Sequence, residues 1–242
     1  MEEEFTADYK AMKERADEIL LSPFIGNKFP LDCFDLVERL GSEVAIKILP
    51  FSWIEEHGMK AEDVVHSKDA ETFEHNGMYL IFYNQEIQKS RTGFSIMHEA
   101  GHIYNGHDME LLTKYRKTND ARLAPLYKKC EAEANCFAAE LLMPEAVLRR
   151  LQELGCRIDA AFLKRAFGVS ELAAKNGIKN LKRSANRYVP YWQKDASLDD
   201  AILMKFKPVI EKNAPRRKSQ MEKFEDELAM QAERDRWLAD GW

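Results

Sequence analysis

The sequence has little with which to build covalent cross-links. Its four cysteines, Cys33, Cys130, Cys136 and Cys156, include no C-x-x-C pair, which excludes a zinc ribbon, and they are too few for a disulfide framework in 242 residues. They read as reduced packing residues. Positive charge is not in excess either: the formal net charge is -5, so no global field holds a polyanion, and nucleic-acid binding would need a local basic patch. No apolar run approaches the length that spans a bilayer. The opening M-E-E-E-F-T is acidic where a secretory signal needs a basic stretch followed by an apolar one, so the expected location is the cytoplasm. What remains is ordinary for a globular protein: 45% hydrophobic, 32% charged and 10% aromatic residues, enough for one good core with a modest extension.

Periodicity orders the chain. Tyr9, Met12, Ala16, Ile19 and Leu20 recur at helical spacing over residues 6–21 until Ser22-Pro23, and a second helix after Pro30 carries Phe34, Val37 and Leu40 before Gly41. Val44–Leu49 is β-branched and stops at Pro50, and Met78–Tyr83 is a continuous apolar run after Asn76-Gly77; both read as strands. Residues 52–76 are polar and weakly patterned, a short helix or an irregular connection. Helices are expected over about Thr92–Asn105 and Leu123–Leu142, the second with a stripe of Tyr127, Cys130, Ala134, Phe137 and Leu141 ended by Pro144. From Asp159 two short helices joined at Gly168, with Ser170 as N-cap, make a helix-turn-helix-like pattern. Residues from about Ser184 to Trp242 hold three prolines, the mixed-charge stretch Glu222–Arg236 and no catalytic motif.

The chemistry centres on His98-Glu99-Ala100-Gly101-His102. Histidines four apart on a helix project side by side and can share one zinc ion, while Glu99, beside them, can take a proton from a water and pass it to a leaving amine. A surface helix with two solvated histidines is the bland alternative. The apolar residues Ile96, Ala100 and Ile103 on the same segment, and a following helix rich in carboxylates, weigh against it.

A catalytic zinc takes three protein ligands and leaves one position open. A histidine six residues beyond His102 is absent, since position 108 is Asp, and His107 is out of register, more suited to a supporting or solvent-facing role. Cys130-Glu131-Ala132-Glu133-Ala134-Asn135 offers carboxylates instead. Glu131 and Asn135 share a helix face, so one can bind the metal while the other hydrogen-bonds a histidine ligand from behind; Glu133 points away, as a solvated charge, and Glu140 is structural. Cys130 is next to Glu131, but adjacent helical positions diverge by about 100°, which disfavours it as a ligand.

The strand, then F-S-I-M-H-E-A-G-H, then E-A-E-A-N-C-F-A-A-E-L-L-M-P resemble the ImmA/IrrE family of zinc metallo-endopeptidases over about residues 8 to 182. The resemblance implies an α+β, zincin-like domain (1–150) with a small mixed sheet and active-site helices, a helix-turn-helix-like region (151–187) and a partly helical extension (188–242). It implies Zn2+ held by His98, His102 and Glu131, with Glu99 catalytic. It also implies action inside bacteria, often from phages or mobile elements, by cutting a helix-turn-helix repressor and so releasing the genes it silences. An extended substrate could add to an exposed strand, offered as Met78–Tyr83 or its neighbour.

A second reading is a DNA-binding module with a structural or vestigial metal site, resting on Lys179, Lys182, Arg183 and Arg187. Asn176-Gly177 should interrupt the helix that would read DNA, which favours packing or substrate recognition. A purely structural zinc would need a fourth ligand that these residues do not readily supply.

Overall fold

The structure is a computed structural model that describes residues 6–41, 44–184, 195–215, 228–234 and 236. Arg187 and the first part of the mixed-charge stretch lie outside the described residues. In chain order the elements are α1 (Tyr9–Leu21), α2 (Cys33–Leu40), β1 (Ile46–Pro50), α3 (Phe51–Glu56), α4 (Ala61–Val64), β2 (Ala70–His75), β3 (Met78–Tyr83) and α5 (Lys89–Tyr104). Then come α6 (Met109–Thr118), α7 (Ala124–Leu142), α8 (Glu145–Glu153), α9 (Ala160–Phe167), α10 (Glu171–Ser184), α11 (Ala196–Lys205) and α12 (Lys207–Asn213). The class is α+β, with a small mixed sheet under many helices.

The sheet order is β1-β3-β2, β1 running parallel to β3 and β2 antiparallel to it. Asn76 and Gly77 both sit at positive φ, 52° and 76°, as a two-residue hairpin between β2 and β3 demands. Strand β3 is therefore central and the edges are β1 and β2, so of Met78–Tyr83 and its neighbour it is the neighbour that offers an edge. The physical reason is visible in its burial. Ile81 faces the main core while Phe82 enters a smaller cluster with Leu49, Ile54 and Val65, so both sides are covered and the run reads as continuously apolar.

Residues 52–76 hold two short helices and β2. The strand escaped the apolar pattern because two of its three buried positions, Glu71 and Thr72, are polar: Glu71 accepts from the His66 and Ser67 N–H groups just before it, and Thr72 donates to Glu99. Helix α5 is buried nearly all round because it packs on the sheet on one side and on α7 on the other. Its closest approach to α7 is at Gly101, where a Cβ would lie 3.0 Å from Phe137 Cδ1 and 3.2 Å from the backbone of Ala134. A larger residue would separate the helices.

Helix α1, capped by the Asp8 carboxylate, lies along α7 and against α11. One apolar cluster runs from Met12 and Leu20 through Phe137, Leu141 and Phe167 to Phe206 and Ile210, so α11 and α12 pack into the same core as the sheet and α7. The helix-turn-helix-like pair is α9 and α10, with Ser170 Oγ accepting from the Ala173 N–H. The expected interruption at Asn176-Gly177 is corrected: α10 runs through it. A Cβ at Gly177 would come within 3.1 Å of Met143 Cε, so the glycine permits close packing that outweighs its low helix propensity.

Candidate metal centre

The spacing of the H-E-x-x-H motif does what helical geometry requires. His98 Nε2 and His102 Nε2 lie 3.0 Å apart, and Glu131, one turn into α7 from Tyr127, meets them at 3.2 Å (His98) and 3.6 Å (His102). Side chains bound to one tetrahedral zinc at about 2.0–2.2 Å are separated by roughly 3.3 Å from one another. The three observed separations straddle that value. The donor set also suits a cation chemically, because two imidazole nitrogens and a carboxylate converge on one point. His98, Glu99 and His102 all offer ligand atoms within 4.8 Å of one another.

Around this point charge is dense. Arg116, from α6, has a side chain only 9% exposed; it lies 3.1 Å from Glu131 Oε1, 3.4 Å from Glu99 Oε1 and 3.6 Å from Glu71 Oε1. Three carboxylates against one guanidinium leave two formal negative charges in excess, the complement of a divalent ion. Burial opposes charge on His98, but the Glu131 hydrogen bond and the charges of Glu131 and Glu99 outweigh it and raise its pKa. His102, entirely buried, is pulled down to about 4 by desolvation despite the same carboxylates. Burial also opposes the charged form of Glu131, yet its hydrogen bonds to His102 and His98 hold it well below the usual carboxylate range. Burial opposes Arg116 likewise, and the charges of Glu99 and Glu131 win, keeping it a cation.

Glu99 is 2% exposed and anchored: Thr72 Oγ1 donates to its Oε2 at 2.8 Å, and Arg116 stands at the other oxygen. The site opens into a cleft of about 530 Å³ whose lining includes His66, Phe94, Arg116, Tyr127, Leu172 and Asn176. A cleft of that size admits an extended peptide segment rather than a folded domain. Its walls come from the segment leading into β2, from α5 and from the first turns of α10.

Asn135 is corrected. Its Nδ2 donates to the Glu131 carbonyl one turn back, at 2.7 Å, a local bond that short polar side chains readily form in helices. The position behind His102 is filled by His107, with ring nitrogens 2.8 Å apart, and His107 Nε2 in turn meets Glu133 Oε2 at 3.0 Å. Glu133, expected as a solvated charge, is buried and also accepts the Asp8 N–H at 2.9 Å. Glu140 accepts the Glu145 N–H where α8 begins, a structural role. Burial pushes the Cys130 thiol up to about 11, so it stays protonated and is a poor ligand.

Sequence reasoning missed Glu71, Thr72 and Arg116. A faint signal existed for the last: Asp108 is a good N-cap, and Met109, Leu112 and Arg116 follow at helical spacing, which puts an arginine on a buried stripe.

The family model described as the IrrE N-terminal-like domain, peptidase M78, matches residues 53–179, more than half of the chain. The chain belongs to this family. The match, narrower than the similarity over about residues 8 to 182, runs from α3 into α10 and includes His98, Glu99, His102, Glu131, Arg116, His107 and Glu133. Helices α1 and α2 and strand β1 lie outside it. No curated protein matches the chain. Membership in a metallopeptidase family agrees with the donor set, and no described helix is long and apolar enough to cross a membrane.

Proposed function

We propose that the chain is a zinc-dependent endopeptidase, acting in the cytoplasm, that cuts a regulatory protein, specifically a helix-turn-helix repressor. The observation that carries this reading is the convergence of His98, the buried His102 and Glu131 on one point, with His98, Glu131 and an anchored Glu99 lining an open cleft. Two nitrogens and one carboxylate form the set that a catalytic zinc uses. Bound there, the ion would polarise a peptide carbonyl and make water a stronger nucleophile at neutral pH.

The chain's own residues do the rest. Glu99 takes a proton from the attacking water and delivers it to the leaving amine, and Thr72 holds the carboxylate in place. Arg116, which also donates to the Tyr127 hydroxyl, pairs with Glu99 and Glu131 and holds both carboxylates in place. A linker between two domains, extended and locally flexible, is the form of substrate that fits such a cleft, and edge strand β2, whose first residue Ala70 lines it, offers backbone groups for strand addition.

The DNA-binding alternative is less well supported. A recognition helix presents its amino-terminal residues to the groove, and here Glu171, Leu172, Ala173 and Asn176 of α10 line the peptide cleft.

The test is incubation of the full chain with a repressor encoded beside it, with and without zinc. Wild type should contain about one zinc per chain and cut the repressor at one site; His98→Ala should contain none, and Glu99→Gln should keep the metal and leave the repressor intact. Cleavage by Glu99→Gln at the wild-type rate would remove Glu99 from the mechanism.

A further inference from the structure

We infer that His107 and Glu133 form a hydrogen-bonded strut that orients His102 and thereby sets the affinity of the metal site. This rests on the reading of His98, His102 and Glu131 as metal ligands.

The strut begins in the way α5 ends. The Gly106 N–H bonds to the Ile103 carbonyl, the His107 N–H bonds to the His102 carbonyl, and Gly106 has φ of 64°. These are the two hydrogen bonds of a Schellman ending, in which the chain turns back and the last residue of the motif meets the helix residue five earlier. An apolar contact usually closes that motif. Here two imidazoles close it, with His102 Nδ1 and His107 Nδ1 2.8 Å apart.

The chemistry of the donors then fixes the protons. His102 turns Nε2 toward His98 and Glu131, so a metal would take the Nε2 lone pair and the ring proton would sit on Nδ1. That N–H donates to His107 Nδ1, which must therefore carry its own proton on Nε2, and this proton faces Glu133 Oε2 at 3.0 Å. The other Glu133 oxygen accepts from the Asp8 N–H at 2.9 Å, where α1 begins. Each link has one donor and one acceptor, and the His107 and Glu133 side chains are each 7% exposed. A ligand histidine commonly leans on a carboxylate directly; here an imidazole is interposed, and the carboxylate is braced by a helix that lies outside the family match.

The experiment titrates Zn2+ into the full metal-free chain against a chromophoric chelator, with the thermal midpoint of each variant measured in excess EDTA. His107→Phe should weaken Zn2+ binding by about 10–100-fold, and Glu133→Gln should do so by less, in the same direction. His107→Gln, whose amide both accepts and donates, should recover part of the loss. His98→Ala reports on the site itself.

If His107→Phe and Glu133→Gln bind Zn2+ within about threefold of wild type while His98→Ala has lost it, the strut is overturned and the two residues serve packing alone. Should His107→Phe not fold, Glu133→Gln with a wild-type midpoint decides the matter in the same way. If His98→Ala binds as wild type does, the ligand assignment fails, and the strut falls with it.

Discussion

Helices α5 and α7 and the pair β2 and α6 meet at one site but bring different chemistry to it. The helix pair supplies His98, His102, Glu99 and Glu131 from a tightly packed seam, with Gly101 against Phe137 and Ala134. The other pair supplies Glu71, Thr72 and Arg116, buried polar groups that pair with one another and with the carboxylates of the site, Glu71 also accepting from the His66 and Ser67 N–H groups. Geometry on the first side is held by packing, which tolerates little change in volume. On the second side it is held by charge balance, which tolerates little change in partner.

The contrast can be broken most severely on the helix side. Glu99→Gln should lower the cleavage rate by about 10²–10⁴-fold with zinc content unchanged, measured by steady-state kinetics and metal analysis. Next comes the charge side. Arg116→Met should cost about 3 kcal/mol of stability in metal-free protein, read from urea unfolding, because Glu71 and its neighbours stay buried without their cation. The sign of its pH dependence follows. Arg116 opposes the charge on His98, so without it the raised His98 pKa rises further; at pH 5 a protonated His98 then supplies part of the missing positive charge, and the variant's deficit should be larger at pH 8 than at pH 5. A deficit that shrinks as pH rises would show that the carboxylates do not depend on Arg116.

Gly101→Ala sets two effects against each other. Helix propensity favours alanine by about 1 kcal/mol, whereas overpacking costs about 1–3 kcal/mol. The new methyl would face the Ala134 backbone, which cannot swing aside, so the net should be a loss of about 1 kcal/mol with weaker zinc binding, whereas a stabilised variant would mean that the seam yields. Thr72→Val removes one hydrogen bond to a carboxylate and should cost about 1 kcal/mol with a few-fold slower cleavage. Smallest of all, Asn135→Ala should leave zinc affinity unchanged and stability within about 0.5 kcal/mol, since its side chain bonds only its own helix.

The helix side was legible before any coordinates because its information is local. His98 and His102 lie one turn apart, and the stripe through Cys130, Ala134, Phe137 and Leu141 fixes how α7 is rotated, which leaves Glu131 near the cleft. The other side was not legible. Glu71, Thr72 and Arg116 are separated by up to 45 positions, and no periodicity connects a charge in a strand to one in a helix. Glu133 was misjudged for a related reason. It does turn from the metal, but the space behind it is closed by α1 and His107, so the face opposite the cleft is interior rather than solvent.

Sequence alone determined helices α1, α2, α5 and α7, strand β3, which residues could bind a cation, and the family. Tertiary structure decided which carboxylates are buried, that β3 is central, and that His107 rather than Asn135 stands behind His102. The division has one cause. Backbone hydrogen bonding and side-chain direction repeat over a few residues, whereas the environment that prices a buried charge is assembled from elements far apart in the chain.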